Sequence, residues 1–374
     1  MIGPGPLPPV PRDLAQAVLT IDLGAIADNW RLLARRVAPA ECASVVKADA
    51  YGCGLEPVAQ ALARAGCRTF FVAHASEAAR LRMALGDAAT LRIYVLNAMA
   101  WGDDGAAALL DVGARPVIGS RAQWESWMRV AAQRPAAVHV DTGMNRLGMS
   151  VDDARWLAAQ PQARSVDLVM THFVSSELAA DPLNDAQIAR FAQARPLFAR
   201  GRASLANSSG VFLPQAPFGD LVRPGYALYG GNPTPGAPNP MAAVVRLEAP
   251  LLQVRDVEPP ATVGYNATWT APGPRRLATL GIGYADGIPR AASGSHGHAG
   301  GEAIVNGVRC PFVGRVSMDL IVIDVTEAGD IAPGAVAQVL GPDITVDDLA
   351  ARAGTIGYEI LTSLGRRYAR EYVG

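Results

Sequence analysis

The chain has 374 residues, half of them hydrophobic, which is enough for two domains with sizeable cores. Its formal net charge is -1 and its pI is about 6.5, so charge gives no basis for binding nucleic acid or an anionic membrane. We therefore expect a small-molecule ligand.

The N-terminal sequence has no targeting pattern. Residues 1–11 are rich in proline and lack the basic and apolar regions of a secretion signal, and no run approaches the roughly 18 apolar residues of a membrane span. Four cysteines without C-x-x-C spacing do not make a disulfide framework. These features predict a cytoplasmic protein in which residues 1–17 form a disordered leader.

From residue 43 to 230, short β-branched runs alternate with Ala-, Leu- and Arg-rich segments at helical spacing. Eight strands are predicted, at 43–48, 69–73, 91–96, 116–119, 137–141, 166–172, 203–207 and 221–228. Helices are predicted at 56–65, 76–85, 121–133, 152–160 and 185–198. Eight βα units indicate an α/β fold, a (β/α)8 TIM barrel, which we assign to residues 18–235, although the segment 18–23 could join either domain.

A Pro/Gly-rich linker at 231–240 marks a change of composition. Short alternating strands with frequent Gly and Pro turns follow it. We therefore predict that residues 236–374 form a mostly-β C-terminal domain.

Lys47 is the only lysine among 33 basic residues. Arginine stays protonated, whereas a desolvated lysine amine can lose its proton and act as a nucleophile, so this single lysine points to chemistry. It follows an apolar run, at the carboxyl end of the first predicted strand, where barrel active sites form. Two chemistries fit: an aldolase-type Schiff base, or the anchor of pyridoxal 5'-phosphate (PLP).

Other polar residues also follow predicted strands, and together they define one barrel mouth: Lys47, Asn97, Asp141, His172, Asn207, Ser208 and Arg223. The segments NSSG at 207–210 and RPGY at 223–226 lie where barrels commonly bind phosphate through hydroxyls and backbone N–H groups. A phosphate there would distinguish PLP from aldolase chemistry.

Five segments resemble, in order, the signature segments of the alanine racemase family: VVKADAYG at 45–52, DTGMNRLG at 141–148, RPGYALYG at 223–230, GIGYADG at 281–287 and GRVSMD at 314–319. The resemblance runs over nearly the whole chain. It implies a PLP-binding barrel and a β domain, assembled as a head-to-tail homodimer. The implied reaction interconverts L- and D-alanine, either supplying D-alanine for peptidoglycan or serving alanine catabolism.

The resemblance implies two catalytic bases. Lys47 would bind PLP covalently and, once freed, take the α-proton from one face of the substrate. Tyr265, within VGYNATW at 263–269, would serve the opposite face from the partner subunit. Arg223 would face the pyridine nitrogen, where a permanent cation weakens the ring as an electron sink and so favours racemisation.

The resemblance also implies binding roles. Tyr51, Ser208, Gly225 and Tyr226 would hold the phosphate, while His172 supports Arg223. Arg146 and Met318 would contact the substrate carboxylate, with Arg146 also near the cofactor phenolate, and Tyr284 would form a gate at the partner's entrance.

Two positions depart from the family pattern. His139 stands where many members carry a lysine that is often carbamylated, so another anion such as chloride, or a different hydrogen-bond network, must orient Arg146. Arg366 stands where some members place a phosphate-binding tyrosine.

Alternative functions are a broader-specificity PLP racemase, a PLP-dependent decarboxylase and a PLP carrier without activity. Arg223 argues against a decarboxylase, and the β domain argues against a carrier. No metal site is expected, because the HGH segment at 296–298 lies in a Gly- and Ser-rich stretch that predicts a flexible loop.

Overall fold

The computed structural model describes residues 10–86 and 90–374, which divide into two compact units. One unit, the barrel unit, is Ile26–Met241. The other, the β-rich unit, combines residues 10–25 with Ala242–Gly374. Within the described residues, no helix has both the length and the apolar character needed to cross a membrane.

The first part of the chain alternates strands and helices. The strands are β1 (Val18–Asp22), β2 (Glu41–Cys42), β3 (Ser44–Val45), β4 (Thr69–Val72), β5 (Arg92–Val95), β6 (Arg115–Ile118), β7 (Ala136–His139), β8 (Val166–Met170), β9 (Arg202–Ser204) and β10 (Leu221–Val222). The helices are α1 (Leu23–Val37), α2 (Lys47–Tyr51), α3 (Leu55–Ala65), α4 (Ala75–Leu85), α5 (Gly102–Asp111), α6 (Arg121–Ala131), α7 (Val151–Ala158) and α8 (Pro182–Ala194).

Strands β3 to β9 form a parallel sheet that closes into a barrel through β10. On one side β10 pairs in parallel with β2. On the other side Asp220 N donates to Ala203 O at 2.8 Å and Arg223 N donates to Ala206 O at 2.9 Å. All four residues of β4 are buried, which explains why the strands are continuous apolar runs rather than alternating ones. The predicted barrel is confirmed, and each predicted strand overlaps an observed one.

The second part of the chain is mostly β, as predicted. Its strands are β11 (Val245–Val257), β12 (Thr262–Val263), β13 (Trp269–Thr270), β14 (Arg275–Leu280), β15 (Glu302–Val305), β16 (Val308–Pro311), β17 (Ile321–Asp324), β18 (Val336–Leu340) and β19 (Ala369–Val373). Two helices, α9 (Val346–Ala353) and α10 (Gly357–Ser363), lie before the last strand.

The boundaries differ from those predicted. Strand β1 pairs antiparallel with β11 and parallel with β19, so it belongs to the β-rich unit and not to the barrel. The units separate at Met241, a few residues after the predicted end of the barrel at 235. Of the predicted leader, residues 1–9 lie outside the described residues. Arg12–Leu14 form a 3-10 turn, and Arg12 pairs with Glu371 at 3.0 Å.

Candidate active site

The residues directly after Lys47 adopt a left-handed conformation. The φ angles are 53° at Ala48, 55° at Asp49, 54° at Ala50 and 54° at Tyr51. Left-handed backbone costs an L-residue about 1–2 kcal/mol, so four in succession persist only when surrounding contacts impose them. The turn lies immediately beyond β3, at the carboxyl end of the barrel. Such strain is typical of functional sites.

The amine of Lys47 lies half-buried at this end of the barrel. Burial lowers its pKa, and the nearby charge of Arg146 lowers the pKa further, while Glu77 opposes both effects. Each of the first two effects disfavours the protonated form. A larger fraction of Lys47 is therefore in the neutral amine form than for an ordinary lysine, and the neutral amine is the form that acts as a base or a nucleophile.

Arg223, which follows β10, is buried without a carboxylate among its acceptors. Its guanidinium donates to the Ser204 hydroxyl, to Thr171 O at 2.5 Å and to Leu205 O at 3.4 Å. Burial lowers its pKa to about 9, so the group remains a cation at neutral pH. A fixed cation with neutral acceptors leaves positive charge available to a ligand.

Two histidines lie beside this arginine. Burial, followed by the charge of Arg223, lowers the pKa of His139 to about 4 and that of His172 to about 3. Both are therefore neutral at neutral pH. We call the set Lys47, Arg146, Arg223, His139 and His172 the cation cluster, because the charge of Arg146 lowers the pKa of Lys47 and the charges of Arg223 and Arg146 lower the pKa of both histidines.

A second group of residues, the anion cradle, consists of Tyr51, Ser208, Gly225 and Tyr226. The Ser208 hydroxyl accepts from Gly225 N at 3.0 Å and from Ala227 N at 3.2 Å. The Tyr51 hydroxyl packs so closely that a Cβ on Gly225 would lie 2.3 Å from its oxygen. Tyr226 is buried and begins a 3-10 turn. Hydroxyls and backbone N–H groups thus converge, an arrangement that suits a phosphate.

The loop that carries Arg146 is organised by Asp141. One carboxylate oxygen of Asp141 accepts from Gly143 N and Met144 N, both at 2.9 Å, and the other accepts from Asn145 N at 2.9 Å. Asp141, which sequence patterns identified only as a polar strand-end residue, therefore fixes the backbone of the loop immediately before Arg146.

Three predicted site residues lie in the β-rich unit with exposed side chains. Tyr265 is 69% exposed, in the turn between β12 and β13, while Tyr284 is 42% and Met318 53% exposed. Tyr284 N donates to Ser317 O at 3.0 Å, so the segments of Tyr284 and Met318 are neighbours. Arg367 joins the same segments through Asp286 at 3.1 Å and Asp319 at 2.8 Å.

The structure thus brings the predicted barrel residues to one end of the barrel, and it adds two residues that sequence patterns missed. Ser204 accepts from Arg223, and Glu77 accepts from the backbone beside Lys47. Ser204 is a polar residue inside the apolar run of the predicted strand 203–207, and that was a usable signal. Glu77 is an acidic residue in the first turn of α4, a pattern that indicates only a helix start.

The HGH segment, which was predicted to be a flexible loop, forms a tight turn in the structure. Ser295 and His298 are bridged by backbone hydrogen bonds of 2.9 and 3.3 Å. His296 accepts from Thr270 N at 2.9 Å and stacks on Trp269.

Comparisons with known proteins agree with this geometry. Residues 21–233 match the family model for the alanine racemase N-terminal domain, and residues 244–372 match that for the C-terminal domain. An alanine racemase of Methylobacterium nodulans is 56% identical over 365 residues, covering 96% of each chain.

Solved structures are similar over the same extent. An alanine racemase of Bartonella henselae with covalently bound pyridoxal phosphate has a TM-score of 0.89 and 38% identity, covering 96% of this chain and 100% of its own. The biosynthetic alanine racemase of Pseudomonas aeruginosa has a TM-score of 0.87 and 32% identity, with the same coverage. This chain belongs to the alanine racemase family.

Proposed function

We propose that this chain is a PLP-dependent isomerase that interconverts L- and D-alanine. The observation that carries the proposal is Lys47, the only lysine of the chain, lying in the cation cluster on a strained turn that ends in Tyr51 of the anion cradle. A chain of the alanine racemase family with these groups at one barrel mouth has the parts that the reaction requires. No structural observation favours a broader specificity.

The donor set fits PLP. The hydroxyls of Tyr51 and Ser208, with the backbone of Gly225 and Tyr226, would hold the phosphate. Arg146 and Arg223, whose charges lower the pKa of both histidines, supply the positive charge that a doubly charged anion requires. When bound to Lys47, PLP supplies a conjugated ring that stabilises negative charge on the substrate's α-carbon.

Two bases on opposite faces perform the proton transfer. Lys47, whose pKa is lowered by burial and by Arg146, takes the α-proton from one face. Tyr265 of the partner subunit serves the other face. Arg146 binds the substrate carboxylate with Met318 beside it. Arg223, held by neutral acceptors, stays positive; facing the pyridine nitrogen of bound PLP, it would disfavour protonation of that nitrogen, and His172 would support Arg223.

The proposed assembly is a head-to-tail homodimer in which Tyr284 forms a gate. Its support is the exposure of Tyr265, Tyr284 and Met318, which are large side chains that a second copy would cover. We place the enzyme in the cytoplasm, where D-alanine would be made for peptidoglycan or L-alanine would be regenerated for catabolism.

The test of the reaction is chiral analysis of L-alanine incubated with the protein and PLP in heavy water, with Lys47→Ala as the control. Because the α-proton is exchanged during racemisation, we expect deuterated D-alanine from the wild-type protein and none from the variant. A yellow, PLP-containing protein that forms no D-alanine would refute the alanine assignment.

The test of the dimer mixes two variants, Lys47→Ala and Tyr265→Ala, each inactive alone. If Tyr265 acts across the interface, each mixed dimer contains one site with both bases intact, so random exchange of equal amounts restores about a quarter of wild-type activity. If both bases belong to one subunit, mixing restores nothing, and the head-to-tail arrangement is wrong.

A further inference from the structure

Helix α4 contacts the left-handed turn after Lys47 through one carboxylate. Glu77 Oε1 accepts from Ala48 N at 2.6 Å. Its second oxygen, Oε2, accepts from Ala73 N at 2.8 Å and from His74 N at 3.2 Å. A single side chain therefore joins the residue that follows Lys47 to the end of β4, and it uses both oxygens to do so.

The same face of α4 holds the turn a second time. Arg80, one helical turn after Glu77, donates to Asp49 Oδ1 at 2.7 Å and to Glu56 Oε1 at 2.8 Å. Asp49 Oδ1 also accepts from Leu55 N at 3.1 Å, at the start of α3. Two successive left-handed residues, Ala48 and Asp49, are thus fixed by side chains of one helix.

The charges around Lys47 come from separate elements. Arg146, in the loop after β7, lowers the pKa of Lys47, and Glu77, on α4, raises it. His172, after β8, is close enough for Lys47 to lower its pKa and is neutral. Glu77 therefore contributes a negative charge beside the amine in addition to its hydrogen bonds.

We propose that Glu77 is the positioning residue for Lys47: it holds the strained turn through Ala48 N–H and Ala73 N–H and keeps an anion beside the amine. The carboxylate contacts backbone and not the reacting atoms, so it acts through Lys47. The catalytic consequence rests on the proposed function, whereas the effect on the lysine does not.

The first experiment compares Glu77→Gln and Glu77→Asp in the PLP-loaded enzyme. Glutamine retains the size but only one acceptor oxygen, and aspartate retains the charge but cannot span both backbone groups. We expect kcat for alanine to fall about 10- to 100-fold in both, with a much smaller change in KM, because the base is displaced while the carboxylate site is intact. Glu125→Gln, which removes the same charge from the exposed face of α6, is the matched control and should behave as wild type.

The second experiment follows the lysine itself. Because Lys47 is the only lysine, lysine labelled with carbon-13 at Cε gives one resonance in the full-length protein after PLP is removed. Its titration reports the pKa of this amine. We expect Glu77→Gln to lower that pKa relative to wild type, Glu77→Asp to lower it less, and Glu125→Gln to leave it unchanged.

A folded Glu77→Gln protein with wild-type kcat and wild-type lysine titration would overturn the proposal. If that variant does not fold, Glu77→Asp decides: unchanged kcat and unchanged titration would also overturn it. If the wild-type protein fails to racemise alanine, the proposed function is wrong, yet the lysine titration still tests the role of Glu77 separately.

Discussion

The two ends of the barrel handle charge in opposite ways. At the amino ends of the strands, Glu41 pairs with Arg92 at 2.7 Å and with Arg202 at 2.5 Å, and it accepts from the Thr69 hydroxyl at 2.6 Å. Nearby, Asp167 pairs with Arg115. Each of these three arginines has a carboxylate partner.

At the carboxyl ends such pairing is incomplete: Glu77 and Asp141 partly offset the positive charge beside Lys47 and His139, but Arg223 has no carboxylate acceptor among the described residues. Arg223 donates to neutral oxygens, and the two histidines are kept neutral by burial and by neighbouring positive charge. This difference in charge pairing indicates which end stabilises the fold and which end binds a ligand. Paired charges are satisfied by the protein itself, whereas uncompensated cations are satisfied by an anionic ligand.

The largest effect is expected at the amine. Lys47→Arg keeps the positive charge of the mouth but removes the group that can lose a proton, so activity should fall by at least about a thousandfold. Steady-state racemisation, with thermal unfolding as the control for folding, checks this. Residual activity within tenfold of wild type would mean that the charge of this residue, not its proton transfer, is what the mouth requires.

The next effect concerns the anion cradle. Gly225→Ala places a Cβ 2.3 Å from the Tyr51 oxygen, so we expect PLP affinity to fall by about a hundredfold, measured by fluorescence titration. In a Tyr51→Phe background the same substitution should lower PLP affinity less, because the Tyr51 oxygen, the nearest atom of the clash, is gone. An equal loss of PLP affinity in both backgrounds would show that the two residues do not share a site.

At the other end, Glu41→Gln should lower the free energy of unfolding by about 2–3 kcal/mol, because Arg92 and Arg202 are left half-buried without a countercharge. Its kcat should stay within about twofold of wild type, since the residue is remote from the mouth. The matched variant is Arg146→Gln, for which we expect the reverse: nearly wild-type stability and greatly reduced kcat/KM. Chemical denaturation measures the free energy of unfolding of both variants. Similar losses of stability in the two would contradict the proposed difference between the two ends.

The smallest expected effect is the pH dependence of stability, which differs between the two ends of the barrel. Burial and Arg223 lower the pKa of His172 to about 3 in the folded protein. On acidification the unfolded chain therefore binds this proton first, from about pH 6.5 downward. The free energy of unfolding falls by about 1 kcal/mol per pH unit until His172 of the folded protein is also protonated. Burial opposes the lowered pKa of Glu41, but the Thr69 hydroxyl and Arg92 prevail, so its contribution is lost only below the ordinary value of 4.5.

Unfolding of the PLP-free protein across this range checks the two windows. His172→Gln should reduce the slope above about pH 4.5, where His139 also contributes, and Glu41→Gln should reduce it only below that pH. Identical profiles for the two variants would contradict the assignment of neutral histidines to the mouth.

Sequence patterns predicted the barrel because each strand is a local apolar run followed by polar residues, and they predicted the mouth because parallel strands end together. They failed for β1, whose partners β11 and β19 come from the far end of the chain. The left-handed turn was also not predicted, since Ala48 and Ala50 carry no signal for positive φ. Distant side chains, Glu77 and Arg80, contact this turn, and no local pattern encodes those contacts.

The most direct test of the central claim traps the cofactor on the protein. The PLP-loaded enzyme is reduced with borohydride and digested, and mass spectrometry locates the added phosphopyridoxyl group. We predict that the group lies on Lys47, the only lysine, and that Lys47→Ala retains none. An active enzyme whose cofactor is attached elsewhere, or is not attached at all, would contradict the assignment of the barrel mouth as the site of catalysis.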